Sequence, residues 1–375
     1  MGDHRSSTPP VALVVGVTGM AGLSIAEYLI SPAAPGGPWR VYCSARREKP
    51  SWFPLRRRPL HHLRRRQLRR HSINSAPSPQ ITHVFWAALQ VRATEEENCA
   101  VNSAMLANVL NVLTKSESSK LRHVTVQTGT KHYMGPIFDP FLSTQLSPPD
   151  PPFLEDAPRV PFPNFYYELE DLVASYAPKV SHSIHRCSII FGASTRSAYN
   201  CLLTFAVYAE ICKYERAPFR YPGNQYTWGH LCDVTDARVL AEQQAWAATT
   251  EGARNERFNC TNGDVFTWKR MWKLLSEVFE VEYVPFDGGD EKFDWVSVMR
   301  EKGHVWDRIV EEKGLFRSKM EEITCFAAVD AVLNIGFQHV SSMNKSKDFG
   351  FFGYADTPTS TKYWVMRLRQ LNIIP

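Results

Sequence analysis

Long hydrophobic runs are missing from this chain. None of its apolar stretches approaches the roughly 20 residues needed to cross a bilayer, so no transmembrane helix is expected. Met1–Pro10 has no apolar core of the kind a secretory signal carries, and reads as a flexible lead-in. Ordered cysteine spacing is missing too: the eight cysteines (43, 99, 187, 201, 212, 232, 260 and 325) include no Cys-x-x-Cys. That scatter fits free thiols in a reducing, cytoplasmic setting better than a disulfide frame or a zinc site. The histidines, His61 and His62 included, show no metal-ligand spacing, so no metal is expected. Acidic residues are absent from Leu55–Arg70, which holds eight arginines. The formal net charge is +5, and without those eight arginines it would be −3. The basic character therefore belongs to one segment, and nucleic acid is not expected as a partner of the fold.

What is present is a globular composition. A chain of 375 residues, 44% hydrophobic and with ten tryptophans, can bury a large α/β core. Val11–Val15 is a short continuous apolar run, as in a strand buried on both faces of a parallel sheet. A glycine-rich turn follows, then a helix over Leu23–Ile30. Trp39–Cys43, Ile81–Trp86, Leu121–Val126 and Ser183–Phe191 read as further strands, with helices over Glu95–Leu113 and Phe165–Tyr176. This alternation predicts an α/β fold with a doubly wound parallel sheet. Beyond Gly192, helices are expected over Asn200–Tyr214, Asp233–Thr249, Phe266–Val278 and Phe293–Lys313, with a strand and turn at Phe258–Gly263.

Gly16-Val-Thr18-Gly19-Met20-Ala-Gly22 joins the first strand to its helix. Glycines spaced three and three are common by chance. Between a buried strand and a helix start, however, they let the backbone approach a pyrophosphate that the helix N-terminus binds. After the second strand come Arg46 and Arg47. An acid there would bind a ribose 2′-hydroxyl, whereas arginines favour a 2′-phosphate, hence NADPH over NADH. Many enzymes with such a turn carry Tyr-x-x-x-Lys on one helix. Here Glu170 stands four residues past Tyr166, and Asp171 four past Tyr167. A lysine does sit on the preceding strand–helix junction, at Lys131. Tyrosine and lysine from different elements can clamp a substrate oxygen at the carboxyl ends of the strands, where this architecture places its chemistry. His132 and Tyr133 read as packing or orienting residues, and the proline-rich Pro148–Pro163 as a pocket wall. The expected division is a lead-in over 1–10, an NADPH-binding Rossmann core over 11–195, and a smaller C-terminal substrate lobe over 196–375 that returns strands to the core.

Several of these motifs occur together in one known family. Gly16–Gly22, Ala45-Arg46-Arg47, Thr82-His-Val-Phe85, Glu96-Glu97-Asn98, Gln127-Thr-Gly-Thr-Lys-His-Tyr-Met-Gly-Pro136 and Asn164-Phe-Tyr-Tyr167 resemble the plant progesterone 5β-reductase/iridoid synthase family. So do Asn262-Gly-Asp-Val-Phe-Thr-Trp268 and Ser342-Met-Asn-Lys-Ser-Lys347. The resemblance covers nearly the whole chain. It implies an extended short-chain dehydrogenase/reductase that uses NADPH to reduce the activated C=C of a 3-oxo-Δ4-steroid or a smaller enone. It places the catalytic lysine on Lys131 and the catalytic tyrosine on Tyr166, with Tyr167 the lesser candidate. Cofactor contacts are implied at Gly16, Thr18, Gly19, Met20, Gly22, Arg46, Arg47, Ala88 and Ile190. In 1,4-addition, hydride attacks the β-carbon and charge develops on the carbonyl oxygen as an enolate. A phenol near an ammonium group stabilises that charge, and losing one such donor costs about 10²–10³ in rate. No relay that makes an alcohol is needed, so the usual lysine can be absent.

Three departures from the family stand out. Cys187 replaces a usual proline, Ala88 a common threonine, and Phe53–Gln80 shows an arginine-rich run where the family has a strand and an acid against the adenine. With permitted codons shifted by one base, Arg58–His71 reads Asp-Arg-Tyr-Ile-Thr-Phe-Asp-Ala-Ala-Asn-Ser-Asp-Asp, a strand ending in an acid. A frameshift that removes a central strand is therefore expected to leave the protein unstable or weak for NADPH; a genuine basic surface loop is the alternative. The rival functions are a carbonyl reductase or sugar-nucleotide epimerase on the same fold, and an inactive or nucleic-acid-binding variant that uses the arginine run. The expected partner is a small-molecule enone, with no membrane, and a homodimer is compatible with the sequence.

Overall fold

β1 (Val11–Val15) is apolar throughout because both of its faces are covered. Leu13 packs on one side with Val84, Trp86 and Leu106, while Ala12 and Val14 pack on the other with Ile25 and Phe85. In the computed structural model, residues 9–55, 80–139, 141–145, 150–288 and 293–375 are described, with His61 and His62 as backbone only.

Seven strands form the main sheet: β1, β2 (Arg40–Ser44), β3 (His61–His62), β4 (His83–Trp86), β5 (His123–Gly129), β6 (Ser181–Cys187) and, near the end, Glu256–Cys260. Two shorter strands, β7 (Ile189–Phe191) and β8 (Val234–Asp236), pair only with each other among the described residues, and Glu256–Cys260 becomes β9. The order across the sheet is β9-β6-β5-β4-β1-β2-β3. All of its pairings are parallel, as doubly wound α/β folds require. Helix α1 (Met20–Leu29) packs beside α5 (Ala237–Thr249), and α2 (Glu95–Thr114) beside α3 (Phe165–Ala174). Between them in the chain comes α4 (Cys201–Glu215), buried along its length up to Cys212. Strand order reverses between β1 and β4, and a crevice opens at such a switch point, outside the carboxyl ends of the strands.

Four expectations change. Ser183–Phe191 is two strands: the Ser188 N–H turns to Thr235 Oγ1 (2.9 Å), so β6 stays in the main sheet while β7 leaves it for β8. The helix expected from Asp233 begins at Ala237, because Val234-Thr-Asp236 is that extended partner and the Asp236 carboxylate caps the helix by accepting the Arg238 N–H (2.7 Å). Phe293–Lys313 divides into Trp295–Arg300 and Gly303–Glu312. Within Phe53–Gln80, His61 and His62 pair with Tyr42 and Cys43 as the outermost strand, so the position expected to lose a central strand is the sheet edge. The arginines at 56–58 and 64–70, like the lead-in at 1–8, lie outside the described residues.

All eight cysteines are free thiols, six of them buried. Among the described residues no helix is long and apolar enough to cross a membrane.

Candidate active site

Gly16 adopts φ +93°, and a Cβ there would lie 2.6 Å from the Ala87 carbonyl oxygen. The turn therefore crosses the end of β4 in backbone contact, which only glycine allows. A Cβ on Gly22 would strike the Gly16 carbonyl. Gly22 thus serves to seat α1 on the turn, and it does not reach the cavity as a cofactor contact was expected to. The Met20 N–H donates to Ser197 Oγ (3.0 Å), and Ser194 Oγ donates to the Thr18 carbonyl (2.7 Å). Nothing in local sequence marks Ser194 or Ser197, because the turn they serve lies about 175 residues away.

A cavity of about 970 Å³ opens at this turn. Gly16, Thr18, Gly19 and Met20 line it, as do Arg46, Arg47, Ala88 and Ile190, and so do Lys131 and Tyr166. The two groups of expected residues, cofactor and catalytic, thus share one space. A turn open to close backbone approach and a helix start fit the pyrophosphate of a nicotinamide dinucleotide.

Lys131 begins a single helical turn, Lys131–Met134, straight after β5. Its Nζ lies 2.6 Å from Glu95 Oε2 and 5.1 Å from the centre of the Phe165 ring. Glu95 Oε1 in turn accepts the Phe165 N–H (2.9 Å). Asn164 caps α3 by accepting the Tyr166 N–H (3.0 Å), and its amide donates to the Lys131 carbonyl (3.1 Å). One carboxylate and one amide therefore fasten α2, the lysine turn and α3 together. Glu95 escaped the sequence reading because three glutamates in a first turn already have a sufficient role against the helix dipole, and Glu97 completes a capping box with Thr94.

The adjacent tyrosines separate cleanly. Tyr167 is buried, with its hydroxyl donating to the His132 carbonyl (2.6 Å) and accepting the Val160 N–H (3.1 Å). Tyr166 faces the cavity, and its hydroxyl lies 3.2 Å from where a Cβ on Gly129 would stand. Burial, with Cys187, Tyr199 and Glu95 nearby, holds the Tyr166 phenol well above its ordinary value of 10.0. A shift in that direction favours the protonated, hydrogen-bond-donating form of the phenol.

Glu170, in the place of the usual lysine, belongs to another network. Its carboxylate accepts from Arg186 Nε (3.1 Å) and Nη2 (2.8 Å), and His132 Nδ1 lies 3.5 Å away, at the limit of hydrogen bonding. Burial alone would raise this carboxyl, but the contacts from His132 and Arg186 bring it down to about 2. Arg186 Nη1 also donates to Tyr133 Oη (3.2 Å), whose hydroxyl donates to Asn259 Oδ1 (2.6 Å). His132 and Tyr133 thus anchor the lysine turn from behind.

Residues 73–375 match the family model described as a PRISE-like Rossmann-fold domain. An (S)-8-oxocitronellyl enol synthase from Camptotheca acuminata is 41% identical over 100% of this chain and 95% of its own length. The chain belongs to this family. It is the progesterone 5β-reductase/iridoid synthase family whose motifs the sequence carries, an oxidoreductase family on a Rossmann fold. A 3-oxo-Δ(4,5)-steroid 5β-reductase from Arabidopsis thaliana is 40% identical, again over 100% of this chain and 95% of that one. Among solved structures, an epimerase from Methanothermobacter thermautotrophicus superposes with a TM-score of 0.65 at 14% identity, over 98% of this chain and 96% of its own. At that identity the likeness shows the fold alone.

Proposed function

We propose that the chain is an NADPH-dependent enone 1,4-reductase acting on 3-oxo-Δ4-steroids or smaller enones. The observation that carries this reading is the Tyr166 hydroxyl, bonded to no protein group among the described residues, on the wall of the cavity that also holds Lys131 and the glycine turn. NADPH, when bound, supplies the hydride. Gly16, Thr18, Gly19 and Met20 bring backbone to its pyrophosphate, and Arg46 and Arg47 offer donors to its 2′-phosphate.

Tyr166 donates its hydroxyl hydrogen bond to the enone oxygen, and the bond strengthens as enolate charge develops there. An ammonium has three donors; Glu95 takes one from Lys131, which leaves two for the same side of the cavity. Phe138, Phe165, Tyr199, Val329 and Val332 supply apolar walls for a hydrocarbon skeleton. The names of the two relatives, a 3-oxo-Δ(4,5)-steroid 5β-reductase and an (S)-8-oxocitronellyl enol synthase, support this substrate range. A carbonyl reductase or epimerase would want a lysine where Glu170 is locked on Arg186, so that reading is the weaker.

The test is purified protein with NADPH and a panel of enones and saturated ketones, followed at the nicotinamide absorbance band. Oxidation with enones and none with saturated ketones is expected. Turnover confined to saturated ketones would overturn the assignment.

A further inference from the structure

Nothing in the local sequence marks Arg196. Three hydrogen bonds anchor its chain neighbours. Ser194 Oγ donates to the Thr18 carbonyl (2.7 Å) and Ser197 Oγ accepts the Met20 N–H (3.0 Å), both on the glycine turn and the start of α1. Trp52 Nε1, from the loop after β2, donates to Thr195 Oγ1 (2.8 Å). The residue between these anchors lines the cavity together with Arg46 and Arg47.

These three guanidinium groups have no ion pair among the described residues, and the Arg196 Nε is buried without a hydrogen-bond partner. Burial first, then Arg196 and Arg46, lower the proton affinity of Arg47, with Glu322 acting in the opposite sense. Cations gathered without an anion repel one another, and an anion that joins them relieves both the repulsion and the unpaired donor. Two of the three follow β2, where this fold seats the ribose of the adenosine half.

We propose that Arg196 is the third arm of the site for the dinucleotide 2′-phosphate, and so a determinant of NADPH over NADH; this rests on the cofactor reading given above. Its planar fork comes from the Ser194–Ser197 segment while Arg46 and Arg47 come from the end of β2, so the phosphate is held between two segments far apart in sequence.

Calorimetric binding of NADP⁺, NAD⁺ and 2′,5′-ADP tests it without turnover. The unaltered protein should prefer NADP⁺. Arg196→Ala should weaken NADP⁺ and 2′,5′-ADP by about ten- to hundred-fold and leave NAD⁺ within about two-fold, which also shows that the variant is folded. Arg196→Lys should recover part of the loss, since it keeps the charge and loses the fork. If Arg196→Ala weakens NAD⁺ as much as NADP⁺, the arginine serves the pyrophosphate or the fold of the Ser194–Ser197 segment and the proposal is wrong. If it leaves NADP⁺ unchanged while Arg46→Ala and Arg47→Ala lose it, Arg196 is not an arm, although the cofactor reading stands. Equal affinity of the unaltered protein for NAD⁺ and NADP⁺ would remove the cofactor reading and this proposal together.

Discussion

Tyr166 and Tyr167 carry the same hydroxyl one residue apart, and helix α3 turns them to different surroundings. The first reaches the cavity, while the second ties His132 to Val160. Removing each hydroxyl should therefore change different measurements. Tyr166→Phe is expected to cut single-turnover hydride transfer by about 10²–10³ with dinucleotide affinity and unfolding midpoint retained. Lys131→Met should also slow transfer strongly and spare binding. Tyr167→Phe should keep most of the rate and lose about 1–3 kcal/mol of stability, because a buried carbonyl and a backbone N–H lose their partner. Near-full activity in Tyr166→Phe, with a large loss of rate in Tyr167→Phe, would reverse the assignment. The Asn-Phe-Tyr-Tyr motif located the pair, and family resemblance favoured the first. The physical distinction required knowing where the His132 carbonyl lies.

At the scale of elements, Glu170 is the instructive position, since α3 presents it to Arg186 behind the lysine turn. Glu170→Lys writes a Tyr-x-x-x-Lys into the sequence, yet it should not yield an alcohol dehydrogenase. It leaves Arg186 buried beside a second cation, and denaturant unfolding should show a loss of about 3–5 kcal/mol. Unchanged stability would contradict the network described here. The first strand, the glycine turn, α2 and α3 were legible because each is written in local pattern: a buried apolar run, a spacing of glycines, a capping box, an Asn cap. The break at Ser188 and the strand at Val234–Asp236 were not, since each exists only through the other across about 45 residues. Glu95, Arg186 and Ser197 share that property. Their partners lie on other elements, and no periodicity records them.

Across the whole molecule, histidines are buried: His83, His123 and His185 in the sheet, His339 beside Thr130 outside it. Burial pushes His83, His185 and His339 down to about 4 and His123 well below the ordinary 6.5, with both His123 ring nitrogens bonded to Ser181 (2.8 Å) and Ser183 (3.0 Å). Between 6.5 and about 4 the unfolded chain binds protons that the folded chain refuses, so stability is full above this interval and falls as pH drops through it. Glu170 acts lower, losing its contribution between 4.5 and about 2. The urea midpoint should fall on going from about pH 7 to about pH 5, and a flat or rising midpoint would count against buried neutral histidines. The central claim, that the cavity directs hydride to an enone carbon while Tyr166 holds the oxygen, is tested most directly by following the hydride itself. NADPH deuterated at the transferred position and 2-cyclohexen-1-one are incubated with the protein, and the product is read by NMR. The account predicts deuterium on the β-carbon of the saturated ketone; deuterium on the carbinol carbon of an allylic alcohol would contradict it.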